Sequence, residues 1–193
     1  MRNRHRSGFV LAEFAIALPL LILLGLGLAN VSVKIFQLGR DQLADYVLED
    51  EARHVMERIV HQARAAKEIS VTPVTADIDQ IKIVFRAADD DPSNQILNVA
   101  EVLETQYFTP HMQDGVCVNL NAKRQDWGAL TNPITGENSF GDTKINRLKY
   151  HRLGGNVLHV VLEMESLVTA RTFRLATAVF MPGCDSFTIY GGT

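Results

Sequence analysis

Three things are scarce in this chain, and each scarcity removes a class of function. Cysteine occurs only twice, at Cys117 and Cys184, far apart and without the C-x-x-C spacing of a thiolate metal cage. A basic excess is missing: 19 Lys and Arg face 22 Asp and Glu, a net charge of -3. No overall positive field draws in nucleic acid, so no nucleic-acid partner is expected. Catalytic signatures are missing as well. There is no G-x-S-x-G elbow, no Walker or Rossmann glycine pattern and no H-E-x-x-H, so the chain is not expected to be an enzyme or to carry a cofactor.

Charge is also missing locally. From Phe9 to Val33 the only formal charge is Glu13. Those 25 residues would make a helix roughly 37 Å long at ~1.5 Å per residue, enough to cross a hydrocarbon core of about 30 Å with some tilt. The preceding MRNRHRSG carries Arg2, Arg4, Arg6 and His5 and no acid, which holds it on the cytoplasmic side. Length allows about one ordinary domain plus this appendage. Three readings compete for the segment: an uncleaved signal-anchor, a secretory signal cut after the small residues Gly27-Leu28-Ala29, and a signal cut on the cytoplasmic side that leaves the apolar helix on the mature chain.

Glu13 separates them. An acid inside an apolar span costs about 2.5–3.5 kcal/mol at mid-membrane, less near an interface, and usually has a function. A secretory signal has no use for it. Gly8 followed by Phe9, with Glu13 five residues after the glycine, resembles the type III signal of type IV prepilins. EFAIALPLLILLGLG resembles the TadE-like pseudopilins of tight-adherence systems, although FVLAE stands where the common consensus is FTLIE. The resemblance implies that a prepilin peptidase cuts after Gly8 and N-methylates Phe9. It also implies that Glu13 pairs with the terminal amine of an adjoining subunit during filament assembly. Its implied partners are other pilin or pseudopilin subunits, the peptidase, an inner-membrane assembly platform and the lipid bilayer. The implied location is a single-pass inner-membrane protein with its head outside the cytoplasm, then a pilus or pseudopilus.

The helical pattern continues past the span. Leu43, Val47, Val55, Ile59 and Ala63, flanked by Tyr46, Ala52, Met56 and Ala66, recur at three- and four-residue steps. Asp45, Glu49, Asp50, Arg53, Glu57, Arg58 and Arg64 occupy the other face. One helix from about Phe9 to Lys67 is expected, with Pro19, Gly25 and Gly27 loosening its apolar half. YVLEDEARHVMERIVHQARAA resembles the region after the membrane helix in PilW-type minor pilins and J-type pseudopilins, which implies a minor subunit that primes, caps or joins a type IV pilus, a tight-adherence pilus or a type II secretion pseudopilus.

After Ile69 the period changes. ISVTPVT, IDQIKIVFRA and GVCVNLNA read as strands. Ile96–Phe108 fits helix or strand and is assigned to strand. Residues 88–95, around Asp89-Asp90-Asp91, form a turn, and Asn121–Thr143, with Trp127 and Phe140, a long loop. A hairpin is centred on Gly154-Gly155, and a last strand alternates Phe173, Leu175, Thr177 and Val179 before Pro182-Gly183. The expected fold is α+β: a leader at 1–8, a membrane helix at 9–34, its amphipathic continuation at 35–68 and a head at 69–193, an antiparallel sheet on which the helix packs.

Other constellations are weak. His54 and His61 lie two helical turns apart, about 10 Å, with Arg58 between. His151 and His159 are expected to face each other across the hairpin but lack further ligands for zinc. Asp89, Asp90 and Asp91 do not match a twelve-residue calcium loop. Glu163 and Glu165 share a strand face, as i and i+2 always do. In an exported head Cys117 and Cys184 permit one disulfide, worth roughly 2–4 kcal/mol. The rival to assembly is an anchored extracytoplasmic binding or adhesion module that uses the Trp127 loop.

Overall fold

The computed structural model describes residues 4–86, 103–124, 132–135 and 143–190. The turn at 88–95, the residues from Ile96 to Val102, Trp127 and Phe140 lie outside them. The chain divides into two compact units, one ending at Gln42 and the other beginning at Leu43. Helix α1 runs from Arg4 to Arg64 and continues through Pro19. Among the described residues the first unit is the part of this helix up to Gln42.

In the second unit α1 packs on a β-sheet, an α+β arrangement. The strands are β1 (Ala66–Pro73), β2 (Asp79–Arg86), β3 (Leu103–Gln113), β4 (Val116–Arg124), β5 (Asn132–Pro133), β6 (Thr143–Gly154), β7 (Val157–Ser166), β8 (Thr172–Phe180) and β9 (Ser186–Ile189). Their order is β8-β7-β6-β4-β3-β2-β1-β9, with β5 added beside β4. Among the described residues all ladders between these strands are antiparallel except β1–β9, which is parallel.

The face that α1 buries is set by small and branched residues one helical turn apart. Ala44, Leu48, Ala52, Val55, Ile59 and Ala63 are all fully buried. Leu43 and Val47, expected on this face, are not: Leu43 is 46% exposed, while Ala44 and Leu48 take the inner positions. The first turn of the stripe is therefore rotated by one residue. The helix also stops at Arg64 rather than Lys67. Ala66 and the β-branched residues after it go into β1, where Ala66 pairs with Phe85 and Ile69 with Ile83, and a strand of β-branched residues in a ladder is favoured over another frayed turn.

Opposite the helix, Ile69, Val71, Ile81, Ile83, Phe108, Leu120, Leu148, Leu158, Val160 and Leu162 belong to one continuous core. In β6 the buried positions are Thr143 and Ile145, then Leu148 and Tyr150. The three-residue step is produced by a bulge between Ile145 and Arg147, because one extra residue shifts the period-two alternation to the other parity. The β6–β7 turn uses Gly154 at φ +120° and Gly155 at φ +53°, a left-handed pair that glycine adopts without a Cβ clash. The strand β9 was not expected, and Pro182-Gly183 does not end the sheet. Only four residues long, β9 adds to β1 beyond that turn.

The sheet has a narrow seam. Among the described residues β4 meets β6 through one paired position, Cys117 with Ile145. A second tie joins β6 to the start of β2. Ile78 and Leu148 form a parallel bridge, Leu148 N donates to Asp77 O at 2.9 Å, and Lys149 Nζ donates to the buried Asp79 carboxylate at 2.8 Å. Beside it, Tyr150 is buried, and its hydroxyl reaches no hydrogen-bond partner among the described residues. Burial, and secondly the Asp79 charge, push its pKa well above its ordinary value of 10.0. A raised folded-state pKa contributes stability below the unfolded value and loses it as pH rises above. Urea midpoints are therefore expected to fall as pH passes about 10, and Tyr150→Phe is expected to flatten that fall without loss of stability at neutral pH.

Candidate functional site

The first unit displays its apolar residues to the outside. Between Phe14 and Leu38 the large apolar side chains are 54–80% exposed, with Phe36 the most open. The helix carries an eighteen-residue window of mean hydropathy 2.3, none of it buried, so α1 contains a segment long and apolar enough to cross a membrane. Such a segment satisfies every internal backbone group within itself except the carbonyl facing Pro19, the only loss that lipid would penalise. Ser32 adds no unpaired polar atom, since its Oγ donates to Leu28 O at 2.9 Å.

Glu13 is an exposed acid near the start of this surface. Gly8 and Phe9 lie in the same helical span, and their surroundings fall outside the described residues. By helical rise Glu13 lies about 7.5 Å along the axis from Gly8. The arrangement is one carboxylate in a helix with no other formal charge from Phe9 to Val33. Chemically it can accept hydrogen bonds or pair with a cation brought by another molecule, and in apolar surroundings it needs one of the two.

The second unit holds the remaining sequence-predicted groups. Cys117, in β4, and Cys184, between β8 and β9, are both buried free thiols, and the disulfide their number permits is not formed in this structure. The Cys117 thiol donates to Asn119 O at 3.5 Å and that of Cys184 to Ser186 O at 3.3 Å. Burial pushes the Cys117 pKa to about 11 and also raises that of Cys184. Thiolate is the reactive form, so both are expected to resist iodoacetamide at neutral pH in the folded chain and to react at once in urea. Rapid alkylation of the native chain, read by intact mass, would contradict this burial.

His151 and His159 are direct cross-strand partners, with ring centroids 6.1 Å apart, as their hairpin spacing predicts. His54 and His61 both line one open groove on α1, of about 400 Å³, with Glu57, Arg58 and Gln62. Among the described residues no group of three His, Cys, Asp or Glu is placed to hold a metal ion. Glu163 and Glu165 pair with Arg174 and Thr172 of β8, and Glu165 also accepts hydrogen bonds from Asn146 at 2.7 Å and Lys144 at 3.1 Å. Asp89, Asp90, Asp91 and Trp127 lie outside the described residues.

Two polar ties between α1 and the sheet had no sequence reading. Glu51, on the buried helix face, accepts a 2.6 Å hydrogen bond from Thr143 Oγ1. Asp45 accepts from Thr169 Oγ1 at 2.7 Å and from Arg171 at 3.0 Å, and Glu49 lies 3.3 Å from the same guanidinium. The one available signal was that Glu51 falls three residues after Leu48 and four before Val55, within the apolar stripe. Comparison with protein-family models, curated proteins and solved structures finds no match to this chain.

Proposed function

We propose that the chain is a membrane-inserted, non-catalytic subunit of the type IV pilin kind, a minor pilin or pseudopilin whose apolar helix enters a filament core. The observation that carries this reading is Glu13: a single acid set in an exposed apolar helix that continues in sequence into the helix packed on an α+β head. A membrane anchor alone gains nothing from a carboxylate there. A packed bundle of such helices gains register, because a buried carboxylate is tolerated only where a cation meets it. Cutting after Gly8 would create that cation, the amine of Phe9, about 6 Å by helical rise from Glu13 of its own chain and free to meet Glu13 of a neighbour.

Before assembly the basic leader holds the N-terminus in the cytoplasm and places the head on the other side. The peptidase, the assembly platform and other subunits are the partners this reading requires. Mass spectrometry of the membrane-extracted chain tests it. An N-methylated Phe9 start is expected, whereas a start at Asn30 would assign a secretory signal and an intact Met1 a plain anchor.

A further inference from the structure

We infer that His151 and His159, opposed across the β6–β7 hairpin, form a two-imidazole chelating site for a divalent transition-metal ion of the zinc, nickel and copper class. The ion's remaining coordination positions are left to solvent or to a donor from another molecule. The inference goes beyond the pilin reading and stands or falls separately from it.

The ladder builds the site. Tyr150 pairs with Val160, and both side chains are buried in the core. Alternation sends the next pair, His151 with His159, to the other face of the sheet. There His151 is exposed and His159 half-buried. On its other side His159 pairs with Ala178 of β8, whose side chain is only a methyl. Both ligands thus stand on paired strands rather than on a loop, and the Gly154-Gly155 turn closes the hairpin just beyond them.

The spacing fits one ion. The ring centroids are 6.1 Å apart and the ring planes differ by 28°. With ring bonds of roughly 1.35 Å, each nitrogen lies about 1.1 Å from its centroid, so nitrogens turned toward each other stand about 4 Å apart. An ion that holds each imidazole nitrogen at about 2.0–2.1 Å spans that gap. The second torsion of histidine is broad, so turning the rings costs little, and a small approach of the two side chains bends the angle at the ion away from linear.

The donor set selects the metal. Neutral imidazole suits zinc, copper and nickel, whereas magnesium and calcium take oxygen ligands. Among the described residues neither ring makes a hydrogen bond or an ion pair, so its nitrogens are free to bind. The neighbouring cations of β6 are engaged elsewhere. Lys149 Nζ lies 2.8 Å from the Asp79 carboxylate, while Arg152 Nε donates to Gly155 O at 2.8 Å and its guanidinium sits over the Phe187 ring. No third His, Cys, Asp or Glu joins the pair among the described residues, so the site is an open chelate rather than a closed structural zinc cage.

The test is calorimetric titration of the full chain in detergent, without a polyhistidine tag, using Zn²⁺ and Ni²⁺, with Mg²⁺ as the control ion. One Zn²⁺ or Ni²⁺ per chain is expected at this site, and no binding of Mg²⁺. His151→Ala and His159→Ala should each weaken binding roughly a hundredfold, because either one turns an intramolecular second contact into none. The double variant should lose no more than either single one, since the chelate is already gone. His61→Ala should keep the parental affinity, because His54 and His61 are about 10 Å apart along α1 and cannot close on one ion. Ala178→His, which adds a third ring to the same row, should tighten binding about tenfold or more, and this gain is readable even if the alanine variants fail to fold. Parental affinity no tighter than that of the double variant would overturn the inference. So would weakening by only one of the two alanine variants, which would mean a lone imidazole, an equal loss in His61→Ala, or no gain from Ala178→His.

Discussion

Glu13→Ala is expected to insert into membranes as well as the parent chain and to be lost from assembled filaments. Insertion is helped, because an acid in the span costs up to about 2.5–3.5 kcal/mol and alanine costs almost nothing. On the proposed pilin reading assembly is harmed, because the substitution would leave a neighbour's Phe9 amine in an apolar core without its counter-charge. Breaking a buried ion pair from one side costs about 3–5 kcal/mol, and at 1.4 kcal/mol per tenfold that is a loss of roughly a hundredfold or more in incorporation. The measurement is the fraction of the chain recovered in sheared filaments against the fraction left in membranes. Glu13→Gln sharpens it, since the amide keeps the size and one accepting oxygen while removing the charge. If Glu13→Gln enters filaments at the parental level, the pairing mechanism is wrong even if the chain is a pilin; if Glu13→Ala does so as well, nothing is left for the acid to do.

Sequence made the long-range frame of this protein legible where a period repeated and lost it where tertiary contacts decided. The apolar run from Phe9 to Val33 and the stripe from Val55 to Ala63 repeat the helical period often enough to read, and α1 contains both. Gly154-Gly155 marked its hairpin because two left-handed positions there require glycine, and the same register set His151 opposite His159. At the start of the second unit the spacing placed Leu43 and Val47 on the inner face, whereas the structure buries Ala44 and Leu48. Asp45 decides between them: its bonds to Thr169 and Arg171 turn that side outward, and no local signal contains a residue 124 positions away. The strand β9 is too short to have a period, and it exists because β1 offers it an edge. The bulge in β6 defeats alternation by one residue for the same kind of reason. In the candidate site, Glu13 was legible as an acid out of place; the buried Glu51 in the helix stripe was an equal anomaly and its partner Thr143 lies in another strand.

The strongest stability effect in the head is expected at Asp79. Its side chain is 7% exposed and accepts a hydrogen bond from Lys149 Nζ at 2.8 Å through one oxygen and from Tyr150 N at 3.2 Å through the other. It stands at the crossing of β2 and β6, where the sheet needs a second tie because β4 and β6 share so little ladder. Asp79→Ala removes both acceptors together, leaving an ammonium that is only partly solvated and an amide N–H in a buried position. Breaking such a pair from one side costs about 3–5 kcal/mol, most of it desolvation that the lost partner had offset. Asp79→Ala combined with Lys149→Met should recover a large part of that loss, because an apolar side chain of similar length fills the space without a stranded charge. Urea midpoints of the full chain in detergent, followed by circular dichroism of the β-sheet, give both numbers. A single-variant loss below about 1 kcal/mol would put this pair among weak surface bridges, and a double variant no better than the single would show that the Tyr150 amide, rather than the charge, governs the seam.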